Sequence, residues 1–234
     1  MNGVELCARF SYITNTLGYC GPSGASKLFL DFATDKSKEE EARKAILKFE
    51  GVPPYLKVIA EANGRDMFDG KVVEAYWIGN KLLNRCSSAS CKKVIEKLMQ
   101  RGLPPSIGKS LIEKMPEGMV PHHNFNVFYV GVGKTSGKVA TTLQNMDNCR
   151  VSWGKVLKVA HGNLYVDTQT LQEKDGKIVL REGETKTAVF LEEFLPAVGE
   201  GDIVAMHWGF AGMKLSEAQR QNLENYTRRV LSLL

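Results

Sequence analysis

Two thiols and three imidazoles are the side chains of this sequence with chemistry to offer: Cys149 and Cys20, and His207, His123 and His122. A thiolate is a nucleophile and a soft metal ligand, and an imidazole beside it can serve as base, ligand or orienting group. Cys149 stands in NCRVSWGKV, four residues before Trp153-Gly154 and at the entrance to an alternating Val/Leu run. His207 stands in DIVAMHWGF. Cys20 lies in LGYCGPSGAS, where tight-turn geometry explains the glycines and proline as well as a functional thiol does. His122 and His123 follow Pro121. Neighbours on an extended segment point to opposite faces, so the pair is not expected to ligate one metal; one serves a site, or both lie at the surface.

Other motifs carry less. GVGKTSGK, residues 131–138, resembles a phosphate loop, but GxxxxGK[ST] requires a glycine where Phe128 stands. Without it the backbone amides cannot wrap a phosphate, and a Gly-rich turn is the reading. Neither GxSxG nor HExxH occurs, which leaves a serine hydrolase or zinc protease without support. Five cysteines, an odd number, argue for reduced thiols rather than a disulfide framework. Cys86 and Cys91 in RCSSASCKK lack the CxxC spacing of a tetrahedral zinc site.

The chain has 234 residues, 43% of them hydrophobic and 24% charged, ordinary globular values. No apolar run has the length a bilayer requires, and MNGVELCARF has no basic n-region, so a soluble cytoplasmic protein is expected. From Asn148 onward 11 basic residues balance 11 acidic ones, so the first 147 residues carry the whole net charge of +5. The densest stretch, 81–114, has eight basic residues against Glu96 and Glu113. No aromatic residues interleave for base stacking, which favours a solvated helix face or an acidic protein partner over nucleic acid.

The elements that must position these groups change character along the chain. SKEEEARKAILKFEGV has Ser37 and Glu40 at capping-box spacing and apolar residues at helical spacing, with Pro53-Pro54 beyond. YLKVIAEANG ends at Asn63-Gly64, a left-handed C-cap signal, and DGKVVEAYWIGNKLLNRC and CKKVIEKLMQRG read as further amphipathic helices. FNVFYVGVG reads as a strand, and VATTLQNMD as a short helix. Thereafter VSWGKVLKVAHGNLYVDTQTL, KIVLREGETKTAVFLE and DIVAMHWGF read as short strands, the first two turning at His161-Gly162-Asn163. Ser216 with Gln219 caps a final helix to about Leu233. Several short strands within so few residues bury a core only by curling into a small barrel. The expected class is α+β: a mainly α-helical domain over 1–146, then a β-barrel with a C-terminal helix over 147–234.

Asn148–Val156 and GEGDIVAMHWGFAGMKLSEAQ, residues 199–219, together resemble the HypC/HybG family of nickel–iron hydrogenase maturation chaperones. That family has a cysteine at a fixed distance before a Pro-Gly-Lys-Val-like strand, as Cys149 precedes Gly154-Lys155-Val156 here. It closes on G-D-x-V-x-x-H-x-G-F-A, matched by Gly201-Asp202, Val204, His207 and Gly209-Phe210-Ala211. The family cysteine follows the initiator methionine, whereas Cys149 is internal, and Trp153 replaces the family proline. The resemblance covers about 148–234; residues before it resemble only uncharacterised bacterial proteins sharing LGYCGP and VEAYWIGN segments.

The resemblance implies an OB-like barrel and a carrier without turnover of its own. It would take an iron–cyanide–carbonyl fragment at Cys149 and His207 and move between a HypD-like scaffold protein and a hydrogenase large-subunit precursor, with neither membrane nor nucleic acid as partner. His123 and Cys20 are weaker candidate metal residues. Trp153, Gly154, Lys155, Gly209 and Phe210 are the candidate partner-binding residues. The alternative is a thiol-dependent enzyme using Cys149 and His207, with His123 as a third member, at a cleft between the two domains. The resemblance requires the Cys149 sulfur and the nearer His207 nitrogen to approach within about 4–7 Å.

Overall fold

A computed structural model describes residues 1–234, an α+β chain in which helices dominate up to Cys149 and strands follow. Asn2 accepts from the Glu5 N–H and starts α1, Gly3–Thr16, whose buried Leu6, Cys7 and Phe10 run through the centre of the helical layer. Against it pack α2 (Ala25–Thr34), α3 (Glu39–Ile46) and α5 (Gly70–Trp77), while α4 (Val52–Asn63) lies against α5. Further along the chain come α6 (Ser88–Met99) and α7 (Pro105–Glu113). Pro53 and Pro54 open α4 rather than merely ending its predecessor, since the first turn has no use for their missing N–H groups. Gly64 closes α4 at φ 61°, the left-handed C-cap expected. The Ser37–Glu40 capping box does not form. Asp35 accepts from the Ser37 N–H instead and starts a 3-10 turn that leads into α3.

FNVFYVGVG is not a strand: Phe125–Gly131 is a π-helical segment. Its aromatic and β-branched residues favour strands only while half a surface stays open. Here Phe125, Val127, Phe128 and Val130 are all buried among helices, and an unbroken apolar run reads alike for a buried helix or a buried strand. The short helix after it, α8, spans Leu143–Cys149, is capped by Thr142 and carries Cys149 as its last residue.

Five strands form a closed barrel in the order β1-β2-β3-β5-β4. They are β1 (Ser152–Ala160), β2 (Asn163–Lys174), β3 (Lys177–Val189), β4 (Ile203–His207) and β5 (Phe210–Lys214). His161-Gly162 at positive φ makes the expected β1–β2 turn; Asp175-Gly176 and Trp208-Gly209 make two like it. Gly154 has a packing reason: a Cβ there would meet Val166 Cγ1 at 2.4 Å, where β1 crosses β2. The barrel's own core is eight residues, Val156, Leu164, Val166, Ala188, Leu195, Val204, Met206 and Ala211. A second cluster of 50 residues fills the helical layer and takes in Trp153, Phe210 and Met213 from the strands.

The last helix, α9 (Glu217–Ser232), opens with the Ser216–Gln219 capping box and returns to the helical layer. Gln219 donates to Glu74 at 2.7 Å, and Tyr226 to the Asn80 carbonyl at 3.0 Å. The largest core thus lies in the helical layer and reaches into the barrel, and α8 runs through the 146/147 boundary. No helix is long and apolar enough to cross a membrane.

Candidate functional site

Antiparallel pairing explains why Cys149 and His207 meet although far apart in sequence. In the β1–β4 ladder Ser152 faces Met206, so the residues just before β1 lie beside the last residue of β4. The Trp208 N–H donates to the Asn148 carbonyl at 2.7 Å and fastens the β4–β5 turn to the end of α8. The helical layer adds His123, which opens the turn of helix leading into the π-helical segment. Ligand atoms of His123, Cys149 and His207 all lie within 4.8 Å of one another, and all three residues are buried.

The hydrogen bonds define the tautomers. His207 Nδ1 lies 2.9 Å from the Phe10 carbonyl of α1. A carbonyl only accepts, so Nδ1 carries the hydrogen and Nε2 is left with a lone pair. That Nε2 is buried without a hydrogen-bond partner. His123 Nε2 donates to the Cys149 carbonyl at 2.8 Å, which leaves Nδ1 to accept from the Tyr76 hydroxyl at 3.0 Å. The Trp77 ring covers both imidazoles, 4.5 Å from His123 and 5.5 Å from His207 between centroids.

Burial sets the protonation. It pushes the Cys149 thiol up to about 12, although the nearby Trp208 indole favours the thiolate. It lowers His207 to about 4 against the pull of the Phe10 carbonyl, and lowers His123 well below the usual range, with His207 adding to the effect. At neutral pH the cluster is therefore a thiol beside two neutral imidazoles. A nucleophilic cysteine needs the opposite, a thiol whose proton is lost easily. A cation would supply the missing charge, and a soft or borderline one suits a thiolate with imidazoles.

These groups line a cavity of about 80 Å³ between helices and barrel. Its outer wall includes Cys20, Glu50, Trp208 and the 131–139 turn. Cys20 is half-buried and gives its S–H to Glu50 at 3.2 Å, and burial together with the Glu50 charge raises its thiol to about 12. The Gly-rich segment is a turn, and a Cβ on Gly133 would meet the Val139 carbonyl oxygen at 1.9 Å. His122 goes elsewhere: it is fully buried, stacked on Tyr226 of α9 at 5.5 Å, so it belongs neither to the site nor to a surface pair.

The remaining candidates divide. Trp153 and Phe210 are 5% and 3% exposed and sit in the large core, so their side chains are not offered to a partner. Gly154 is enclosed between strands, while Lys155 and Gly209 are exposed. Tyr76, Trp77, Trp208 and Glu50 contribute to the site without having been singled out from sequence. Tyr76 and Trp77 read only as part of an apolar helix face, and nothing local marks Glu50.

The whole chain, residues 1–234, belongs to a family described as a family of unknown function (DUF6390). No curated protein and no solved structure matches it.

Proposed function

We propose that the chain is a HypC-like accessory protein of nickel–iron hydrogenase maturation. It carries an iron–cyanide–carbonyl fragment through Cys149 and His207 and exchanges it with a HypD-like scaffold and a large-subunit precursor. One observation carries this reading: the sulfur and a His207 nitrogen lie within 4.8 Å of one another at the rim of a small barrel. The donor set fits such a cargo, because a buried imidazole lone pair without a partner stands beside a thiol. Adjacent ligands at metal–nitrogen and metal–sulfur bond lengths stand about 3–3.5 Å apart, so a contraction of at most about 2 Å closes the site. The neutral Cys149 and His207 weigh against the thiol-dependent enzyme, which would need an activated sulfur.

In cells holding the maturation machinery, Cys149→Ser should accumulate as a folded protein that has lost both iron and its HypD-like partner on purification. A neutral hydroxyl is a poor soft-metal ligand. Cys7→Ser and Cys86→Ser, whose thiols lie outside the cavity, should keep both. A Cys149→Ser protein with partner binding intact and only a lowered melting temperature would refute the carrier reading.

A further inference from the structure

The helical layer contributes an imidazole to the cluster, and its present hydrogen bonds say how that imidazole is held. His123 has both nitrogens engaged, Nε2 as donor to the Cys149 carbonyl and Nδ1 as acceptor from Tyr76. A metal ligand needs a free lone pair on the nitrogen that faces the metal, with the other nitrogen's hydrogen held by an outer partner. Tyr76 is such a partner, because a hydroxyl both donates and accepts. Its side chain also lines the cavity, so its own hydrogen has room to turn away from the ring.

We infer that His123 is the third protein ligand of the Cys149–His207 centre and that Tyr76 is the positioning residue that permits it. On metal binding the His123 hydrogen moves from Nε2 to Nδ1 by exchange through the cavity, and the Tyr76 oxygen accepts it there. His123 stays neutral throughout. Cys149 gives up its thiol proton to water, so one proton is released for each cation bound. The Cys149 carbonyl oxygen, 2.8 Å from Nε2, stands in the direction the cation takes, so the His123 ring turns off it as Nε2 gains the cation and the carbonyl loses its donor. Three protein ligands leave the remaining coordination positions toward the cavity, where the ligands the metal brings, or water, complete the sphere. The helical layer is then part of the metal centre, and the barrel alone holds only two of its ligands. This inference rests on reading Cys149 and His207 as ligands.

Cobalt(II) tests it on the purified full-length chain, because cobalt–thiolate charge transfer reports sulfur ligation in the absence of any partner. The wild-type chain should bind one equivalent with such a band, and Cys149→Ser should lose the band. His123→Gln keeps a side-chain N–H for the Cys149 carbonyl but cannot ligate as an imidazole does. Tyr76→Phe keeps the volume but offers no acceptor to Nδ1–H. Tyr76→Phe should weaken cobalt binding about 10–100-fold, the usual loss when a ligand's outer partner is removed, His123→Gln should weaken it at least as much, and both should alter the ligand-field spectrum. If His123 only clamps the Cys149 carbonyl, both variants bind cobalt as the wild type does, which overturns the inference. In that case losses confined to Cys149→Ser and His207→Ala would leave the two-ligand reading standing. A wild-type chain showing no Cys149-dependent band would instead remove the reading beneath it.

Discussion

His122 shows what burying an imidazole does away from the cavity. It is fully buried, accepts the Asn124 N–H at 3.1 Å, and burial lowers it from 6.5 to about 3. Its folded pKa lies below its unfolded one, so the fold refuses a proton that the unfolded chain accepts. Stability is therefore level above about pH 6.5 and falls as pH drops from there toward 3. Each such histidine costs at most about 1.4 kcal/mol per pH unit in that window. His123 and His207 shift the same way and add to the slope when no metal is bound. Urea midpoints of metal-free protein should fall steeply between pH 6.5 and 5, before the carboxylates titrate, and His122→Phe should lessen the slope by about one proton. Midpoints unchanged across that window would contradict the burial of these rings.

Among the elements, α8 is tied to the barrel by one buried charge node. Asp147 accepts from Arg150 Nε at 2.9 Å, from the Leu171 N–H of β2 at 3.0 Å and from Lys186 of β3 at 2.6 Å. Arg150 is fully buried and also donates to the Gln169 carbonyl. Asp147→Ala should leave that guanidinium uncompensated at a cost of about 3–5 kcal/mol, lowering the melting temperature by on the order of 10 °C. A change within about 2 °C would show that the node does not hold α8 in place. Most elements were legible in the sequence: Gly64 and the Ser216–Gln219 box mark helix ends, and His161-Gly162 marks a hairpin. The π-helical segment was not, because its apolar run has no period that separates strand from helix. Cys149 and His207 were singled out through family resemblance rather than periodicity. Their closeness depends on the β1–β4 register, which no local signal encodes, and the place of Tyr76 depends on how α5 packs.

For the molecule as a whole, the larger core cluster crosses from helices to strands, while the barrel keeps eight core residues to itself. A core so small stabilises little on its own. The full chain should unfold in one calorimetric transition. Residues 147–234 expressed alone should expose Trp153, Phe210 and Met213 and show no cooperative transition. A sharp transition in that fragment would mean that the barrel is an independent unit.

The central claim concerns the Cys149–His207 centre, and infrared spectroscopy reads it most directly. Protein purified without oxygen from a host with active hydrogenase maturation should show stretching bands of iron-bound cyanide and carbon monoxide. Those bands should vanish in Cys149→Ser and weaken in His207→Ala. A spectrum without them in the wild-type protein, or one that Cys149→Ser leaves unchanged, would contradict the account.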